Sequence, residues 1–147
     1  MKRKVRRMRQ LIAIAAADEQ RASASMAQTL SRHEFELQRL AELEQYRDDY
    51  AVSGVQNRSD AVRLLDYHRF LDRLSVAIKG QQQLLAESDA KVETHRERWL
   101  DKRRRLRSLE SALDRFCDDV RRAEDRLEQK RQDELASQGG SRSSRTR

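Results

Sequence analysis

The sequence predicts an all-α protein: an elongated, antiparallel two-helix coiled-coil hairpin with a disordered basic C-terminal tail. Charged residues make up 39% and aromatic residues 5% of the 147 residues, which is typical of long helices rather than of a compact core. Proline, the commonest helix breaker, is absent from the sequence. Large apolar residues recur every seven positions in the second half, and this spacing is typical of a left-handed coiled coil.

The first helix is expected over about residues 3–52. Its apolar stripe follows alternating steps of four and three and then continues after a local phase slip, through Met26, Leu30, His33, Leu37, Leu40, Leu43, Tyr46 and Tyr50. Such a slip would overwind the coil locally.

A turn is expected over residues 53–60. Gly54 can adopt the left-handed conformation that ends a helix, and Ser59 or Asp60 can cap the next one. Two long helices joined by a short turn fold back antiparallel. With the turn centred near Gln56, facing residues should have numbers that sum to roughly 113, which would place Trp99 opposite the alanine-rich segment 13–17.

The second helix is expected over about residues 61–136. Its a positions are all apolar: Leu71, Ile78, Leu85, Val92, Trp99, Leu106, Leu113, Val120 and Leu127. Its d positions are polar in the middle and mostly apolar at both ends: Leu74, Gln81, Ser88, His95, Lys102, Leu109, Phe116 and Ala123. The two rows together predict one face that packs against the first helix, which we call the seam.

The second helix should extend beyond the start of the first, because residues after about 112 have no facing residue under this pairing. The apolar residues that continue there, Leu113, Phe116, Val120 and Leu127, therefore belong either to a frayed or disordered end or to a surface for a partner helix, and the second interpretation is favoured. Gly139 and Gly140 should end the helix, so that residues 1–138 form a single coiled-coil domain and 139–147 a disordered tail.

No motif in the sequence predicts catalysis, a cofactor site or a metal site. The four glycines form no phosphate-binding loop, and the histidines and the single cysteine lack a metal-ligand spacing. We therefore expect a protein that holds partners and is not an enzyme.

No apolar run is long enough to cross a bilayer, and the basic segment 2–9 followed by the short apolar run 11–17 imitates a signal peptide only at the lower limit of length.

The net charge of +7 is unevenly distributed. Residues 2–9 and 96–107 are basic, whereas residues 34–50 are mainly acidic. The densest basic run, Lys102, Arg103, Arg104 and Arg105, is either a solvated helix face or a contact for an acidic protein surface. Nucleic acid fits less well, because arginines spread around a helix match phosphates less well than a single row does.

Four of the seven aromatic residues gather on either side of the expected turn: Tyr46, Tyr50, Tyr67 and Phe70. They could pin the end of the hairpin through packing. They could also anchor a partner, because exposed aromatic residues on a rigid scaffold are common binding hot spots. The two roles are compatible.

Three segments resemble the flagellar export protein FliJ family. Residues 66–78, DYHRFLDRLSVAI, are similar to the central segment of that family. Residues 46–50, YRDDY, resemble its paired tyrosines before the turn, and residues 99–106, WLDKRRRL, resemble its tryptophan followed by a basic run. The order and spacing of the three segments agree with the family over nearly the whole chain.

The resemblance implies a non-catalytic stalk, similar to that of rotary ATP synthases, within the flagellar type III export apparatus. Such a stalk would insert into the ring of the hexameric export ATPase FliI, contact the export-gate protein FlhA and bind export chaperones. It would be cytoplasmic and lie peripherally at the inner membrane through these partners. The equivalent stalk of a virulence type III secretion system and a basic coiled-coil nucleic-acid binder are the alternative interpretations.

The resemblance also implies where partners bind. By position, the gate contact would consist of Tyr46, Tyr50, Phe70, Leu74, Ala77 and Gln81. Position 81 departs from the family pattern, in which we would expect histidine. Leu74 and Gln81 also belong to the seam, so they cannot be fully buried and fully available to the gate at once. The ring contact would consist of Lys102 to Arg105.

Overall fold

Two helices make up the described part of the chain in a computed structural model. Helix α1 spans Lys2–Gln56 and helix α2 spans Ala61–Ser144. The structure describes residues 1–56 and 61–144, and no strand occurs within these ranges. The predicted all-α hairpin of two helices that pack against each other is confirmed.

The end of α1 lies later than predicted. Residues 53–56, which were expected in the turn, are helical. Gly54 ends a helix only where it adopts the left-handed conformation, and no glycine among the described residues has a positive φ. The rest of the predicted turn, including the candidate caps Ser59 and Asp60, lies outside the described residues.

The end of α2 also differs from the prediction of a disordered tail at 139–147. The helix continues through Gly139 and Gly140 to Ser144. Glycine costs about 1 kcal/mol relative to alanine inside a helix, so it weakens a helix without forcing its end. Neither glycine takes the left-handed conformation that would stop the helix here. Residues 145–147 lie outside the described part.

The chain divides into two compact units. Unit 1 consists of Met1–Ala17 and Arg103–Arg147, and unit 2 consists of Asp18–Lys102. In each unit, a segment of α1 is accompanied by a segment of α2.

The two helix segments of unit 2 run antiparallel, as contacts between them show. Tyr50 stacks on Tyr67, the Gln81 amide bonds to Glu36, and the Trp99 indole bonds to Glu19. The residue numbers of these pairs sum to 117, 117 and 118, not to the roughly 113 expected from equal helical rise. The register is displaced because α1 continues beyond the predicted turn.

The seam predicted for α2 is confirmed in unit 2. All of its buried residues occupy a or d positions: Leu74, Ile78, Gln81, Ser88 and Val92. Lys102, at the last d position of this unit, is exposed.

The apolar stripe predicted for α1 differs from the face that packs. Leu37 and Tyr46 are 46% and 56% exposed, whereas Glu36 is only 4% exposed. The packed face of α1 between residues 19 and 43 is a regular row of residues spaced alternately by three and four. All of them are buried or half-buried: Glu19, Ala22, Met26, Thr29, His33, Glu36, Leu40 and Leu43. The phase slip is therefore unnecessary, because a carboxylate fills a position that the sequence pattern gave to leucine.

Candidate partner-binding surfaces

An aromatic cluster joins α1 to α2 near the connection in unit 2. The Tyr50 ring centroid lies 4.2 Å from that of Phe70 and 5.3 Å from that of Tyr67, on which it stacks. Tyr46 meets Phe70 edge-on at 5.9 Å. The Tyr67 hydroxyl donates a hydrogen bond of 3.4 Å to the Ala51 carbonyl oxygen. Because Tyr46 remains more than half exposed, the cluster both packs the helices together and presents an aromatic surface.

The remaining residues of the predicted gate contact do not share that surface. Leu74 and Gln81 are buried against α1 at 8% and 5% exposure, whereas Ala77 is exposed. The conflict between seam and gate is thereby decided for Leu74 and Gln81: both are d positions, which point toward the neighbouring helix. They are unavailable to a partner while the helices stay paired.

Polar side chains occupy the middle of the unit 2 seam. Gln81 Nε2 donates to the backbone oxygen of Glu36 at 3.0 Å and also to its carboxylate. Arg32 Nε lies 3.1 Å from the other carboxylate oxygen of Glu36. His33 Nδ1 lies 3.3 Å from Ser88 Oγ, one step further along the seam. These bonds offset the cost of burying a carboxylate and an amide.

The basic run Lys102 to Arg105 is exposed at all four positions. Successive residues of an α-helix are rotated by about 100°, so four in a row surround α2 with positive charge. This arrangement suits an acidic protein surface that encloses the helix better than it suits one row of phosphates.

The apolar stripe predicted to lack a partner begins to be covered in unit 1. The Lys4 ammonium lies 4.4 Å from the centroid of the Phe116 ring, and Leu113, Phe116 and Val120 are half-buried. The expectation that pairing stops near residue 112 therefore does not hold, because the register is displaced. Leu127 remains 61% exposed, as the prediction of a free surface requires.

An open apolar cavity of about 730 Å³ lies beside this stripe in unit 1. Its lining includes Val5 and Ala13 from α1 and Cys117 and Val120 from α2. Lys2, Arg6 and Arg9 also line it. A concave apolar surface with charged residues among its lining is suited to a protein partner.

The chain matches a family described as Flagellar FliJ protein over residues 3–145. It belongs to the flagellar FliJ protein family. No curated protein and no solved structure matches it. Membership of the FliJ family makes the chain a component related to flagellar protein export, and it confirms the family resemblance identified from the sequence.

FliJ proteins are non-catalytic components of the export apparatus. Among the described residues of this FliJ-family chain, no group of three metal-binding side chains occurs. None of the described helices has an apolar stretch long enough to cross a membrane.

Glu36 is the structural residue that sequence reasoning missed. A charged residue is normally excluded from a coiled-coil seam, so the spacing of apolar residues alone favours Leu37 instead. Glu36 continues a row of residues that are each seven positions apart: Met8, Ala15, Ala22 and Thr29. The regular seven-residue spacing is therefore a better signal of the packed face of α1 than the hydrophobicity of each position.

Proposed function

We propose that this chain is the coiled-coil stalk of a flagellar type III export apparatus. In this role it inserts into the ring of the export ATPase FliI, couples that ring to the export gate FlhA and binds export chaperones. It acts at the cytoplasmic face of the inner membrane through these partners. The match to the FliJ family over residues 3–145 is the observation that carries the proposal.

The gate contact in this proposal centres on Tyr46 and Phe70, whose rings touch, and it includes the exposed Ala77 about two helical turns after Phe70 on α2. Tyr46 is supported by its exposure and by its edge-on contact with Phe70, which holds its ring in place at the surface. Tyr50 lies behind them as packing, because it contacts both Tyr67 and Phe70. Leu74 and Gln81 contribute by holding the two helices together.

The ring contact in this proposal consists of Lys102, Arg103, Arg104 and Arg105. Four consecutive exposed cations give an electrostatic attraction to acidic loops of a ring, whichever side of the helix each loop faces. The chaperone contact is assigned to the stripe Leu113, Phe116, Val120 and Leu127, of which Leu127 is the most accessible.

Co-purification with FliI tests the proposal. Replacing Lys102 to Arg105 with glutamate should weaken FliI binding about tenfold or more, because each exposed charge contact contributes up to about 1 kcal/mol. The matched control replaces four other exposed cations with glutamate, at Arg63, Arg69, Arg73 and Lys79, and changes the net charge equally. Equal loss in both variants, or no loss in either, would contradict the assigned ring contact.

The same pair of variants tests whether binding of the chain changes the rate at which FliI hydrolyses ATP. FliI should hydrolyse ATP faster with the unaltered chain than alone, since a stalk in the pore would couple the subunits. The control variant should retain this stimulation and the Lys102–Arg105 variant should lose it. Stimulation that survives the loss of binding would argue against a stalk in the pore.

A further inference from the structure

We propose that the cavity of unit 1 is a docking site for an acidic amphipathic helix of a protein partner. It lies between residues 1–13 of α1 and residues 117–124 of α2. The inference rests on the proposed function, because it gives the chemistry of the partner helix assigned to the stripe from Leu113 to Leu127.

The floor of the site is apolar and extends beyond the cavity. Val5, Cys117 and Val120 are half-buried and line the cavity, which leaves part of each side chain for a partner to cover. Leu127 is exposed and lies two turns after Val120 on the same face of α2. From Cys117 to Leu127, α2 rises by about 15 Å, so the apolar surface accommodates two to three turns of an incoming helix.

The basic residues of the lining form a row on α1. Lys2, Arg6 and Arg9 are spaced by four and three residues, which places them on one face of the helix. A partner helix with acidic residues at the same spacing would meet all three. Because the three cations are exposed, such pairs determine orientation and selectivity more than affinity. The apolar floor supplies most of the binding free energy.

The shape of the site favours a protein helix over a membrane. The apolar side chains lie in a concave cavity between two helices, whereas a flat lipid surface requires a protruding apolar face. The exposed segment of α2 from residue 121 to 141 in a second copy of the chain is also a poor occupant. Its five arginines and lysines balance its five acidic residues, so it has no net negative charge to complement the row formed by Lys2, Arg6 and Arg9.

Cys117 provides the means to test the site, because it is the only cysteine in the chain and lines the cavity. The probe is a synthetic helical peptide with leucines at positions i, i+3, i+4 and i+7 of one face. A separate row of glutamates runs along the edge of that face, and its members are spaced by four and then three residues, as Lys2, Arg6 and Arg9 are. The control probe carries lysines in place of the glutamates. The measurement is the rate at which a small thiol reagent modifies Cys117 in the full chain at increasing probe concentration.

The acidic probe should slow the modification of Cys117 in a saturable way, and the basic probe should not. The double substitution Arg6→Glu and Arg9→Glu should weaken binding of the acidic probe about tenfold, as expected for two exposed charge contacts. The same pair should allow the basic probe to protect Cys117. Arg3→Glu with Arg7→Glu is the matched control, since both residues are exposed on α1 outside the cavity lining, and it should leave the acidic probe unaffected.

Three outcomes would overturn the inference. The acidic probe could fail to protect Cys117, or both pairs of variants could weaken it equally, which would mean attraction by net charge alone. Protection by anionic vesicles but not by the peptide would indicate a membrane contact instead. The experiment contains no export protein, so its failure is distinct from a failure of FliI binding, which is measured with other variants.

Discussion

The seam of unit 2 and the apolar stripe of unit 1 come from the same seven-residue repeat but differ in what covers them. In unit 2, even the polar seam residues Gln81 and Ser88 are buried and hydrogen-bonded to α1. In unit 1, the apolar residue Leu127 is exposed, and a cavity lies beside Val120. A position in the repeat therefore predicts which face a residue occupies, whereas burial depends on the residue opposite.

Apolar and polar seam residues have two different physical roles. Apolar seam residues bring helices together but distinguish poorly between one alignment and another shifted by seven residues, since such residues repeat. A buried polar pair does distinguish them, because a shift would leave the Glu36 carboxylate without the Gln81 amide. Apolar residues left uncovered have no such role in the hairpin and are available to partners.

The largest effect is expected from truncating an apolar residue of the unit 2 seam. Leu74→Ala should lower the free energy of unfolding by about 2–4 kcal/mol, because Leu74 is 8% exposed and its removal leaves a cavity. Val76→Ala is the control, as Val76 is 70% exposed on the same helix, and should change it by less than about 0.5 kcal/mol. Urea unfolding followed by circular dichroism measures both, and equal effects would show that Leu74 is not a seam residue.

A smaller effect is expected from breaking the polar pair. Gln81→Leu should lower the free energy of unfolding by about 2 kcal/mol, because the buried Glu36 carboxylate loses a hydrogen-bond donor. Adding Glu36→Leu should recover most of the loss, since two apolar residues then face each other. The double variant should also lose alignment, which spin-label distances between Gln28 and Lys91 would report as a second population.

The stability of the double variant shows whether Gln81 and Glu36 act as a pair. A double variant as unstable as Gln81→Leu alone would mean that the two side chains do not act as a pair. A fully recovered double variant with one unchanged spin-label distance would mean that the apolar residues alone specify the alignment.

The smallest effect on stability is expected in the stripe of unit 1. Leu127→Ala should change the free energy of unfolding by less than about 0.5 kcal/mol, because Leu127 is 61% exposed and little of it packs. The variant should still have a lower affinity for a partner that covers this residue. Thermal unfolding of the isolated chain is the measurement, and a large loss of stability would mean that Leu127 packs within the protein.

Much of the fold was predictable because helical periodicity is a local property. The a and d positions of α2 identified all of its buried residues in unit 2, including Gln81 and Ser88. The aromatic residues on either side of the connection do contact one another. The helix ends were less predictable, because Gly54, Gly139 and Gly140 permit a helix to end without requiring it.

The candidate sites were less predictable than the fold. The sequence placed Leu74 and Gln81 both in the seam and in a partner contact, and only the position of α1 decided between them. The cavity beside Val120 was not foreseen, because it is formed by residues more than 100 positions apart.

The all-α class, the seven-residue repeat of α2 and the three segments that resemble the FliJ family follow from the sequence alone. These depend on composition and on spacing along one helix, which the chain carries without reference to any neighbour. The packing of the two helices shows which residues face each other, that Glu36 rather than Leu37 enters the seam, and which apolar residues stay exposed. Those outcomes depend on the register between two helices, and a shift of a few residues changes every facing pair at once.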